Sequence, residues 1–283
     1  MGLSLIGLAI YVYWPTLVQL VRTWWREPEY SHGYVVALFS LYLLYRNRHR
    51  LKEGQPRISW WGVPVLALAA GIYLAGAYVG IDYLSAVSIV PCCLGLALVL
   101  GGWPALRWSA TAAFFLLFLI PLPFRVARSL SEPLRAIATK TSAFSLQTLG
   151  FPVITEGYTL HLEDYPIAIA EACSGLSMLY VFIALAAAVV IVSQRPILDR
   201  VLILVGAFPI AIIANTIRII LTALGFVLAG KETGEFIFHD LAGWLMMPIA
   251  LGLMYLELKM VDFVLVPVSS SNGEGSVVPA FRP

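Results

Sequence analysis

Three stretches of this chain hold residues able to do covalent chemistry. Cys173 stands in Glu171-Ala172-Cys173-Ser174-Gly175-Leu176, where a polar segment gives way to an apolar run reaching Val192. A thiol at a helix start is a candidate nucleophile, because the helix N-terminus and nearby cations favour the thiolate. A later apolar run contains Ala214-Asn215-Thr216-Ile217-Arg218. An Arg inside a membrane helix costs at least ~2.5 kcal/mol, so it normally faces a polar cavity or a partner. Asn215 and Arg218 are three apart and share a helix face. Finally, Phe238-His239-Asp240 precedes the last apolar run. Together these are the parts of thiol acyl transfer. Cys173 would attack a carbonyl, and His239 would activate the thiol and protonate the leaving amine. Arg218, helped by Asn215, would stabilise the oxyanion.

Each residue also has a plainer account. Cysteine is often just a small buried residue, and an interfacial His is usually unremarkable. Arg218 could form a packing ion pair with a membrane carboxylate, but the spans are read as free of Asp and Glu. Cys92 and Cys93, adjacent in an apolar run, are expected to be structural and without polar neighbours. The three cysteines and four histidines form neither a CxxC nor an HExxH pattern, so no metal and no cofactor is expected.

Composition dictates what positions these groups. The chain is 60% hydrophobic and 12% charged, with mean hydropathy +0.87, whereas soluble domains carry roughly 25% charged residues. Apolar runs of about 18 or more residues are what membrane helices require. The expected fold is an all-α polytopic membrane protein of about eight spans. These are Leu3–Leu20 (read as uncleaved), Gly33–Tyr45, Trp60–Gly80, Leu84–Leu100, Trp108–Phe124, Ser174–Val192, Val201–Leu228 and Leu241–Leu258. Gly71, Gly76 and Gly80 would give the third span small-residue packing faces. Trp24, Trp25 and Tyr30 suit an interfacial aromatic belt. From Arg125 to Gly150 an amphipathic helix is expected along the interface, with Val126, Leu130, Leu134 and Ile137 on one side and Arg128, Glu132, Arg135 and Lys140 elsewhere. Phe151–Ala170 reads as a short extended hairpin on the outer face, with turns at Glu156-Gly157 and at Glu163-Asp164-Tyr165-Pro166.

The domain reading is one transmembrane domain over 1–266, its catalytic half about 125–260, and a disordered tail over 267–283. The basic loop Arg46, Arg48, Arg50, Lys52 and Arg57 sets orientation by the positive-inside rule. It places both termini in the cytoplasm, and Cys173 and the 229–240 loop on the outer face. Arg218 would lie ~15 Å below the outer end of its span.

The ordered set Glu-Ala-Cys-Ser-Gly-Leu, then Asn-x-x-Arg, then Phe-His resembles the exosortase/archaeosortase family. Tyr30-Ser31-His32-Gly33, a short span and a basic loop resemble that family's N-terminal half, and the likeness covers roughly residues 25–260. The chain departs in having Ser177-Met178 where many members carry an Arg. The resemblance implies a membrane cysteine transpeptidase with Cys173, Arg218 and His239 as its catalytic set. Asn215, Glu171, Ser174 and His32 would be substrate-binding or supporting residues. Its implied partners are exported proteins with a C-terminal signal: a short motif such as Pro-Glu-Pro, a transmembrane helix and a basic tail. An amine acceptor of unknown identity and membrane lipid complete the partners, and no nucleic acid is expected. The implied location is the bacterial inner membrane, with the site on its periplasmic face. A transporter, or a surface-polysaccharide transferase, using Arg218 to bind an anionic substrate is the alternative.

Overall fold

A computed structural model describes residues 2–27, 30–52, 58–162, 165–169, 175–193, 195–236, 242–267 and 277–279. The chain is mostly helical and divides into two compact units, Met1–Pro123 and Phe124–Pro283. Among the described residues, four segments are long and apolar enough to cross a membrane: Gly2–Arg26, Gly62–Val79, Asp82–Leu119 and Ile197–Gly230. A shorter apolar helix covers Leu176–Val192. This is a membrane protein.

The first unit holds α1 (Gly2–Arg26), α2 (His32–Arg46), α3 (Gly62–Val79), α4 (Asp82–Val87) and α5 (Ile89–Phe115). Helix α5 covers what reads in sequence as parts of two spans, and Gly102 kinks it with φ 67° and ψ −152°. A straight helix of 27 residues would be ~40 Å long. Instead, Leu119 and Ile120 pack in one cluster with Ala86, Val87 and Ile89. The segment therefore folds back at Gly102, whose left-handed φ suits glycine. Trp24 does not serve an aromatic belt. It is buried, its indole lies over Gly33 at a distance no Cβ would allow, and its Nε1 donates to Leu119 O at 3.1 Å. Of the third-span glycines, Gly76 packs closely on Ser85, whereas a Cβ at Gly71 would meet open space. Cys92 is buried beside Tyr13, whose hydroxyl shares a 2.8 Å hydrogen bond with Ser88 Oγ. It thus has polar neighbours after all.

The second unit runs α6 (Phe124–Thr148), β1 (Val153–Glu156), β2 (Thr159–Leu162), β3 (Tyr165–Ala168), α7 (Leu176–Val192), α8 (Ile197–Phe236) and α9 (Ala242–Val264). The extended stretch is a three-stranded antiparallel sheet in the order β1-β2-β3. Glu156 pairs with Thr159 across a two-residue Gly157-Tyr158 turn, with Gly157 at φ 58°, as tight hairpins favour. Tyr165 and Pro166 lie within β3, not in a turn. Val153, Leu160, Leu162 and Ile167 bury the sheet's inner face on α6 and on Ile219 and Ala223 of α8.

Helix α6 presents a different face from the one its large apolar residues suggest. Val126, Leu130 and Ile137 are exposed, while Ser131, Leu134, Ala138, Thr139, Ser142, Ala143 and Leu146 are buried. Small residues let helix backbones approach closely, and in a membrane protein that contact replaces the hydrophobic drive. Helices α7, α8 and α9 share a second core around Phe182, Ala207, Ala211 and Met254. Within the tail read as disordered, Val277–Pro279 forms β5, paired with β4 (Leu265–Pro267).

The last apolar run, expected as the eighth span, is not free of carboxylates. Glu257 lies inside α9, and both its oxygens are buried without a hydrogen-bond partner. It presses on Gly206 of α8, about three turns, or ~18 Å, along that helix from Arg218. Glu257 is therefore not the partner of Arg218.

Candidate active site

Asn215 supplies the fixed point of the site. It is 1% exposed on α8, and burying an amide is costly unless its surroundings are built for it. Its side chain lies against Gly175, the residue that starts α7. A Cβ at position 175 would stand 3.1 Å from Asn215 Nδ2, and Gly175 has φ 88°. Two demands thus converge on one glycine: left-handed backbone and close approach. Its carbonyl then accepts Leu179 N–H at 2.9 Å and opens the helix.

The Asn-x-x-Arg spacing places Arg218 one turn from Asn215 on the same face of α8. Arg218 is half-buried, and its neighbour Ile219 is fully packed under the sheet. Thr216 Oγ1 and Thr141 Oγ1 of α6 lie 2.9 Å apart, tying the two helices together at this level. A small cavity of about 10 Å³ borders Asn215 and Gly175, with Leu134 and Ala138 of α6 and Phe208 of α8 among its walls. That is about the room one water needs.

The α6 cation Arg135 sits over the Tyr158 ring, 5.1 Å from its centroid. Tyr158 in turn accepts Ile169 N–H on its carbonyl at 2.9 Å. Helix α6, the hairpin turn and the end of β3 are thereby joined on one side of the site.

Of the sequence candidates, Asn215 and Arg218 stand together on α8. His32 belongs to the first unit, where it is 6% exposed at the start of α2 with the Tyr30 ring 6.4 Å away. Glu171, Cys173, Ser174 and His239 lie outside the described residues. Sequence reasoning did not foresee the Thr141–Thr216 contact or the packing of Arg135 on Tyr158. The small-residue stripe along α6 was the available signal for Thr141; Arg135 and Tyr158 meet only through the folded hairpin.

The family model described as transmembrane exosortase matches residues 24–256, most of the chain. No curated protein and no solved structure matches it. The matched range takes in all three ordered motifs and the Asn215–Gly175 contact, and on that footing the chain belongs to the transmembrane exosortase family.

Proposed function

We propose that this protein is a membrane cysteine peptidase and transpeptidase that cleaves C-terminal sorting signals from exported proteins. The observation that carries the reading is the contact of Gly175 with Asn215. It seats the residue two places after Cys173 against the Asn-x-x-Arg face of α8. Cys173 precedes Gly175 by two residues in the chain, and that proximity in sequence supports reading it as the nucleophile. His239 lies three residues beyond the end of α8 at Phe236 and three before the start of α9 at Ala242.

In this mechanism the Cys173 thiolate attacks the scissile carbonyl, and Arg218 stabilises the oxyanion. The C–N bond breaks as His239 gives its proton to the departing amine, releasing the anchor helix. An amine acceptor, or water, then attacks the thioester and frees the thiolate. Asn215 holds the start of α7, which presents the nucleophile. The substrate would carry a short motif of the Pro-Glu-Pro kind, a transmembrane helix and a basic tail. The chain would cross a bacterial inner membrane eight times with both termini in the cytoplasm, the chemistry taking place at the periplasmic face.

The test is co-expression with a reporter protein ending in such a signal, with wild type and Cys173→Ala compared by mass spectrometry. Wild type yields reporter trimmed at the motif, and Cys173→Ala accumulates it intact. Equal trimming by both would overturn the reading and favour a role in which Arg218 alone binds substrate.

A further inference from the structure

We propose that the end of the first unit bearing Arg48, Arg50, Lys52 and Arg107 binds the phosphate headgroup of an anionic phospholipid. The inference concerns the first unit alone and does not depend on the peptidase reading. The chain leaves α2 at Arg46 and continues as a 3₁₀ turn over Asn47–Lys52. At about 2 Å per residue that turn is only ~12 Å long, so its cations stand close together. It is also fastened to α5. Trp108 Nε1 donates to Leu44 O at 2.7 Å, and Arg50 Nη1 donates to Arg107 O at 3.3 Å. The second bond carries a guanidinium from the turn to the backbone of another exposed cation. Arg48 lies over the Tyr45 ring, 4.1 Å from its centroid, which orients the cation without neutralising it.

Carboxylates are scarce at this end. Between Tyr30 and Ile81 the sequence carries Arg46, Arg48, Arg50, Lys52 and Arg57 against a single acid, Glu53. One carboxylate cannot balance the four cations of the proposed site, so positive charge remains whatever Glu53 meets. The described carboxylates of the unit lie elsewhere. Gly2, at the start of α1, packs on Leu100, whereas Glu27 follows the far end of that helix. Asp82 likewise follows the far end of α3. Like charges gathered in one place repel one another, and an anion bound among them relieves that cost.

The same end carries the aromatic residues of a membrane interface. Ser59 N–H donates to Leu98 O at 3.1 Å, and Gly62, at the start of α3, packs on Val99 and on the Gly95 carbonyl. Trp60 and Trp61 thus lie level with the bend of α5, and Trp103 follows that bend one turn before Arg107. All three indoles are exposed. Tryptophan at the end of an apolar helix marks headgroup level, where Lys and Arg attract anionic lipid. The guanidinium fork supplies paired donors for phosphate oxygens. Beyond the indoles α3 exposes Val63, Leu68 and Leu74. That apolar flank suits acyl chains, which favours a lipid over free phosphate.

The probes are dioctanoyl phosphatidylglycerol, dioctanoyl phosphatidylcholine and inorganic phosphate. Each is titrated into full-length protein in a neutral detergent, and bound lipid is counted by native mass spectrometry. Phosphatidylglycerol binds about 10- to 30-fold more tightly than phosphatidylcholine, and excess inorganic phosphate does not displace it. Arg50→Gln combined with Arg107→Gln removes most of that preference, at roughly fivefold per cation, and leaves phosphatidylcholine binding unchanged. Arg22→Gln combined with Arg26→Gln, at the far end of α1, keeps the preference in full. Thermal unfolding of each variant accompanies the titrations. Should the Arg50 and Arg107 pair fail to fold, Arg48→Gln with Lys52→Gln takes its place, sparing the bond to Arg107 O. Equal binding of the two lipids, a preference that survives removal of the cations, or the same loss from the Arg22 and Arg26 pair overturns the assignment. Displacement by inorganic phosphate overturns the lipid and leaves a site for free phosphate.

Discussion

Helix α8 meets a neighbour through a glycine at two places, and the two contacts differ in kind. At one, its own Asn215 lies on Gly175 at the start of α7. At the other, its own Gly206 receives Glu257 from α9. Both put a polar side chain hard against backbone within an apolar helix bundle. Near Asn215 on α8 stand other polar groups, Thr216, whose hydroxyl meets Thr141, and Arg218 one turn away, and a small cavity walled mainly by apolar residues borders the amide. Around Glu257 the shared core is apolar, built from Ile203, Ala207, Met254 and Val261. A polar group in a membrane helix costs free energy in either place. Only where several such groups converge on a cavity, next to a chemically capable segment, does that cost point to catalysis.

The sharpest way to break this contrast is to remove charge from the Asn215 side. Arg218→Ala should lower kcat by about 10²–10³-fold, the effect of losing an oxyanion donor, with Arg218→Lys between it and wild type. Steady-state cleavage of the Pro-Glu-Pro reporter reads this out, and an unchanged kcat would remove Arg218 from the chemistry. Gly175→Ala comes next. It combines a left-handed φ with a 3.1 Å approach to Asn215, so it should cost about 1–3 kcal/mol and lower activity as α7's start shifts. Thermal unfolding together with kcat tests both effects.

At the other contact, Gly206→Ala drives a methyl into the Glu257 carboxyl. Overpacking of this sort costs about 1–3 kcal/mol, yet kcat of the folded protein should stay at the wild-type value. Equal losses of kcat at Gly175 and Gly206 would dissolve the distinction between the two contacts. The smallest effect belongs to Asp262, in the last turn of α9, past the apolar run expected to end at Leu258. Its hydrogen bond from Arg195, at 2.5 Å, holds its carboxyl below the ordinary carboxylate range. A depressed carboxylate stabilises the fold above its unfolded value and loses that contribution as pH falls through its folded one. Asp262→Asn should therefore slightly flatten the acid limb of a stability-versus-pH curve. Because the side chain is half exposed, water and salt keep the change small.

The part of the candidate site on α8 could be read from the chain because its spacing is local. Asn215 and Arg218 lie one helical turn apart, so spacing alone puts them on one face. Gly175 was visible as part of a motif, but its left-handed backbone and its contact with Asn215 depend on how α7 docks on α8. The buried face of α6 escaped pattern reading for a physical reason. Apolar periodicity marks the core side of a helix in water, whereas helices packed in a membrane meet through small and hydroxyl residues such as Ala138, Thr139 and Ser142. The fold-back at Gly102 was legible as two separate apolar runs, while the residue that makes the reversal was not. Arg135 and Tyr158 are 23 residues apart in the chain, joined only by the hairpin.

The most direct test of the account is to catch the acyl-enzyme. Wild-type protein mixed with the Pro-Glu-Pro reporter, quenched in acid and digested, should show the reporter's N-terminal fragment attached to the peptide bearing Cys173. Hydroxylamine should release that fragment, as a thioester requires. Reporter cleavage with no hydroxylamine-labile adduct on Cys173 at any quench time would contradict the assignment of Cys173 as the nucleophile.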